Sequence, residues 1–163
     1  RLVEMLGEAP EGIAWDLYCG VGLVAFYLSR RFRKVYGIDV EPQQIELAAL
    51  NASLNGLDNI EFRADRVETA LRDRRFWLQE AKPDVIVVDP PRAGLHASAL
   101  SSLLAARPRQ IAYLSCNAQS LVRDLQVLRA GFPRYRLEQV HAFDMFPQTN
   151  HVETLVLLLR TGA

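Results

Sequence analysis

The stretch "GIAWDLYCGVGLVAFYLSRRF", Gly12 to Phe32, decides the fold. A short apolar strand, about Ile13 to Leu17, runs into a glycine turn, and a helical pattern follows over 21–32. Gly20 and Gly22 permit a tight turn and a close backbone approach to a ligand at the helix N-terminus. A strand, a glycine turn and a helix in that order open a parallel α/β sheet.

The rest of the chain repeats the alternation. "KVYGID" is a second strand, and "EPQQIELAALNASLNGL" is a helix, with Pro42 in its first turn and Gly56 just past its end. "IEFRAD" alternates as a third strand, before a helix over Val67–Leu78. "PDVIVVDPPRAG" is a buried strand broken by two prolines. "ASALSSLLAA" is a helix, "QIAYLSC" a fifth strand and "SLVRDLQVLRAG" another helix. "YRLEQVHAFD" and "HVETLVLLLR" lie too near each other for a crossover helix, so they pair antiparallel. The expected fold is α/β, a doubly wound, mostly parallel sheet with an antiparallel C-terminal hairpin at one edge. Its strand-end breaks line one crevice.

Composition limits the function. The chain has 163 residues, 50% hydrophobic and 23% charged, with a formal net charge of +0. That suits one soluble domain and carries no global basic signature for nucleic acid. Lys34 and Lys82 are the only lysines, and arginine supplies the remaining basic charge. Two cysteines make neither a disulfide framework nor a metal motif, so a reducing, cytoplasmic setting is expected and no metal. No run is long and apolar enough for a membrane span.

Four stretches carry candidate chemistry. In "DLYCGVG", Asp16 ends the first strand; Asp39 and Asp65 end the second and third. A carboxylate placed like Asp39 can accept both hydroxyls of a ribose, and Asp65 can meet an adenine edge. A pair of glycines would serve NAD as well, although the third glycine of a dinucleotide fingerprint is absent, with Ala25 the nearest substitute. In "DPPRAG", Pro90 and Pro91 stiffen a loop that can hold Asp89 beside a flat base, while Arg92 either meets a phosphate or a ring, or is solvated. In "SCN", Cys116 is either a small core residue or a nucleophile. An arginine or a helix N-terminus raises thiolate content. Arg92 and a helix starting near Gln119 are both at hand, whereas Cys19 lies inside the glycine loop. In "FDMFPQTNHVETLVLLL", alternation puts His151 and Glu153 on one face, where Glu153 is either a general base or a solvated edge-strand residue.

Together "DLYCGVG", "DPPRAG", "SCNAQSLVRDL" and "FDMFPQTNHVE" resemble the RNA uracil-5-methyltransferases, enzymes that make 5-methyluridine in ribosomal and transfer RNA. The likeness runs from Trp15 to Leu159. It implies a Rossmann-like class I fold that binds S-adenosyl-L-methionine (AdoMet). It places Asp16, Tyr18, Gly20, Gly22, Asp39, Asp65 and Asp89 at the cofactor. Cys116 becomes the nucleophile and Glu153 the base, and Pro90, Arg92, Asn117 and His151 face the RNA. "DMFP" leans towards ribosomal over transfer RNA. Members of that family are longer and carry an amino-terminal RNA-binding β-barrel. Residues 1–163 therefore read as a single catalytic domain of a longer protein. The alternatives are a class I enzyme acting on cytosine C5 or an exocyclic amine, an NAD-dependent oxidoreductase, and a non-catalytic RNA-binding module. An amine enzyme would favour an aromatic residue where Arg92 stands, and an oxidoreductase has no use for SCN or HVE.

Overall fold

The computed structural model describes residues 1–73, 82–131, 133–145, 147–148 and 152–161. Its strands are β1 (Ala9–Leu17), β2 (Phe32–Asp39), β3 (Ile60–Ala64), β4 (Val85–Val88), β5 (Gln110–Ser115), β6 (Tyr135–Phe143) and β7 (Glu153–Arg160). The helices are α1 (Leu2–Leu6), α2 (Leu23–Leu28), α3 (Pro42–Leu54), α4 (Val67–Arg72), α5 (Ala97–Ala106) and α6 (Ala118–Ala130). All seven strands form one sheet in the order β3-β2-β1-β4-β5-β7-β6. The first five pair parallel, and β7 pairs antiparallel with both β5 and β6.

Period-two alternation sorts the strand side chains onto two cores. Trp15, Leu17, Ile38, Ile86, Val88, Ile111, Tyr113, Val156 and Leu158 pack on one face, with residues of α4, α5 and α6. Ala14, Val35, Val85, Val87, Ala112, Leu155 and Leu157 pack on the other, with residues of α1 and α2. Burial on both faces explains why β4 and β7 read as continuous apolar runs. The strand order reverses between β1 and β4. This is the switch point where open α/β sheets place a ligand crevice.

Several expectations change. β1 begins earlier, at Ala9, with an irregular register before Ile13. α1 was not visible as a pattern; it buries Leu6. α2 stops at Leu28, short of the helix expected to Phe32. The Asn59 amide donates to the Ser29 and Phe32 carbonyls, and buried Phe32 opens β2. The hairpin is confirmed, but β7 is not an edge strand. It inserts between β5 and β6, and β6 takes the edge. Positions 74–78 of the helix expected after β3 lie outside the described residues. Among the described residues no helix is long and apolar enough to cross a membrane.

Candidate active site

The glycine loop joins β1 to α2. Tyr18 takes φ +63° and Gly22 φ +83°, the left-handed region that reverses the chain within a few residues. A Cβ at Gly22 would meet the Phe62 ring at 2.7 Å, so only glycine fits both the angle and the space. Asp16 is 1% exposed, and its Oδ2 accepts the Ala25 N–H at 2.9 Å, supplying an acceptor to the start of α2. Asp39 closes the loop from β2. Its Oδ2 accepts the Gly20 N–H at 2.9 Å, and its Oδ1 accepts that of Glu41 at 3.0 Å. Asp65, after β3, holds Arg63 at 2.7 Å and the Arg66 N–H at 2.7 Å.

Acids gather at this end of the sheet. Burial pushes the Asp16 carboxyl up to about 8; the Ala25 hydrogen bond opposes the rise, and the charges of Asp89 and Asp39 add to it. Desolvation also raises Asp89, helped by the charge of Glu153. The "DPPRAG" loop and the start of β7 are thus electrostatic neighbours. Desolvation, then the charges of Glu68, Asp124 and Asp39, take the Tyr18 phenol to about 12.

Register brings the other two stretches together. Ser115 of β5 pairs with Thr154 of β7. One step further out, Cys116 leaves β5 at the level where Glu153 enters β7. Directly opposed residues of an antiparallel pair share a face. Cys116 is partly buried and free, and α6 starts two residues later. Asn117 caps that helix: its Oδ1 accepts the Gln119 N–H, and its Nδ2 donates to the Arg92 carbonyl at 3.0 Å. Cys19 is buried, and burial pushes its thiol well above the usual range. A pocket of about 430 Å³ at the opposite end of the sheet, lined in part by Glu8, Asp84 and Arg109, takes no part in this arrangement.

The family model described as tRNA (uracil-5-)-methyltransferase matches residues 3–161. This chain belongs to that family. An uncharacterised RNA methyltransferase of Oceanobacillus iheyensis is 42% identical over 97% of the chain and 34% of its own length. One of Porphyromonas gingivalis is 41% identical over 96% and 33%. The Pyrococcus abyssi tRNA (uracil-54, C5)-methyltransferase, solved with S-adenosyl-L-homocysteine, superposes with a TM-score of 0.76 at 35% identity, covering 93% of this chain and 35% of that one. A Streptococcus thermophilus rRNA methylase, 18% identical with a TM-score of 0.72, shares the fold. It covers 94% of this chain and 89% of that one. The chain spans about a third of the length of the curated relatives it matches.

For this uracil-5-methyltransferase family chain, the structure gathers Asp16, Tyr18, Gly20, Gly22 and Asp39 around one loop, and Asp89, Pro90, Cys116, Asn117 and Glu153 around the neighbouring strand ends. It also shows how some of these side chains are engaged within the protein. Asp16 braces the loop from beneath and does not open onto the crevice. Asn117 has both ends of its amide engaged within the protein. The Arg92 carbonyl, rather than its exposed guanidinium, makes the contacts to α6. His151 and Asn150 lie outside the described residues. Sequence reasoning missed Arg123 and Asp124. A signal existed: Asp124 falls between Leu121 and Leu128 on the buried stripe of α6, where an apolar residue is expected.

Proposed function

We propose that this chain transfers a methyl group from AdoMet to C5 of a uridine in RNA. The observation that carries the reading is the convergence of Cys116, Asp89 and Glu153 at the crevice beside the glycine loop. The crevice suits the cofactor's charge. Asp39, Asp89 and Glu153 would repel the pyrophosphate of a dinucleotide and favour a ligand bearing ammonium and sulfonium groups. When bound, AdoMet supplies an electrophilic methyl on sulfur that departs as a neutral thioether.

The protein's part is covalent catalysis. The Cys116 thiolate adds to C6 of the uracil, and the C5–C6 electron pair moves onto O4 as an enolate. That makes C5 nucleophilic enough to take the methyl group. Glu153 then removes the C5 proton. The electrons of that bond rebuild the C5–C6 double bond and expel the thiolate. The target base must leave its stack to reach the crevice. Residues 1–163 act as the catalytic domain, and a further amino-terminal domain supplies most RNA recognition, in keeping with the neutral charge.

Asp144 to Pro147 is the basis for favouring ribosomal RNA; the likeness to the Pyrococcus abyssi enzyme supports transfer RNA. Incubation with AdoMet and either RNA, each carrying 5-fluorouridine, tests both points by intact mass. Fluorine cannot leave as a proton does, so a covalent protein–RNA adduct is expected. It should vanish in Cys116→Ala and persist in Cys19→Ala. An adduct that persists in Cys116→Ala would remove Cys116 as the nucleophile.

A further inference from the structure

Asp124 is 0% exposed and sits on the apolar stripe of α6. Its Oδ2 accepts the Leu95 N–H at 2.7 Å and the Tyr113 hydroxyl at 2.6 Å. Its Oδ1 accepts Nε and Nη2 of Arg123 at 2.8 and 2.7 Å. Arg123 Nη2 also donates to the Ala93 carbonyl at 2.9 Å and the Leu95 carbonyl at 3.3 Å. The Ser120 hydroxyl and the Asn117 amide each donate to the Arg92 carbonyl at 3.0 Å. Between those anchors Gly94 takes φ +78°. A Cβ there would meet Arg123 Nη2 and Asp124 Oδ2, each at 2.6 Å. The loop from Arg92 to Leu95 is therefore tied to α6 and its cap through Arg92, Ala93 and Leu95, with Gly94 in close approach.

We infer that Arg123 and Asp124 are positioning residues for methyl transfer, holding the "DPPRAG" loop in place against the strand end that carries Cys116. This inference rests on the reading under Proposed function. A carboxylate on a helix's core stripe is costly, and a helix kept only for packing would use an apolar residue there. Asp124 instead joins three segments. Tyr113 belongs to the strand that ends before Cys116, α6 begins just after it, and Leu95 belongs to the loop that follows Asp89. Loosening the clamp lets Arg92 to Leu95 drift from the thiol. Asp89 keeps its own anchor, its N–H donating to the Leu17 carbonyl at 3.3 Å, and the glycine loop and Asp39 stay as they are. Misplacing reacting groups by about 1 Å can cost on the order of 10²-fold in rate.

The test uses the full-length protein with AdoMet and 5-fluorouridine RNA, both saturating, and reads single-turnover adduct formation, AdoMet affinity by calorimetry and Tm. Arg123 is half exposed, so Arg123→Ala should fold. It should slow adduct formation about tenfold or more while AdoMet affinity stays within about twofold. Arg123→Lys should recover part of the rate, and Asp124→Asn should follow Arg123→Ala in rate. An unchanged rate in Arg123→Ala overturns the inference. So does a loss of AdoMet affinity in proportion to rate, the mark of general loosening. A wild-type protein that forms no adduct overturns the uracil-5 reading and this inference with it. A reactive wild type beside an equally reactive Arg123→Ala overturns this inference alone.

Discussion

Asp16, Asp39, Asp89 and Glu153 stand at one end of the sheet, and their surroundings give them different tasks. Asp16 lies beneath the loop, with its carboxyl pushed up to about 8. The folded chain therefore holds that proton more tightly than the unfolded chain does. Its stabilising contribution is complete below the unfolded value of 3.8 and is lost as pH rises through about 8. Asp16→Asn keeps an acceptor for Ala25 and removes the titration. Between pH 5 and pH 9 the wild type should lose about 4 kcal/mol more stability than this variant in denaturant unfolding; equal losses would mean that Asp16 is ionised throughout. Glu153→Gln tests the other end of the crevice. It should allow methyl transfer to uridine RNA but stall release, so that a methylated protein–RNA adduct accumulates; normal turnover would rule out Glu153 as the base. The candidate residues were legible because each stands where a strand breaks into a loop. The Asp16 brace and the Asn117 cap were not, because only the packed loop decides whether a carboxylate or amide meets solvent or a backbone N–H.

The strands and helices came through the sequence well where a single face is buried. α5 occupies the expected Ala97–Ala106. α3 buries Ile45, Ala48 and Ala52 and leaves Leu47, Leu50 and Leu54 exposed, the last at 75%. Leu54→Gln should accordingly change stability by about 0.5 kcal/mol or less. β7 behaves in the opposite way. As the strand between β5 and β6 it buries Leu155 to Leu158 on both faces. Leu158→Ala should cost about 2–5 kcal/mol, as measured by chemical denaturation. A cost under 1 kcal/mol would place β7 at an edge. That insertion also has a functional consequence. At an edge, Glu153 would be far from β5; paired to β5, β7 delivers Glu153 to the level of Cys116. α1 escaped notice because five residues are too few to display a helical period.

At the scale of the whole molecule, Asp39, Asp89 and Glu153, from three separate strand ends, share one crevice in a chain of zero formal charge. A cationic cofactor should feel that field and its neutral-sulfur product less so. Raising salt from about 0.05 to 0.5 M should weaken AdoMet binding more than S-adenosyl-L-homocysteine binding, since screening acts on the extra charge. Equal salt dependence would mean that the crevice does not distinguish sulfonium from thioether. By itself, the sequence determined the class of fold, the strand-end placement of the candidate chemistry and the family likeness. Hydrophobic periodicity and the residues that break it are local properties, written in consecutive positions. Only the tertiary structure decided the order of strands, the place of β7, the electrostatic neighbourhood of Asp89 and Glu153 and the clamp made by Arg123 and Asp124. Each of these depends on which distant segments become neighbours. Burial on both faces of a central strand leaves an apolar run that does not name its partners.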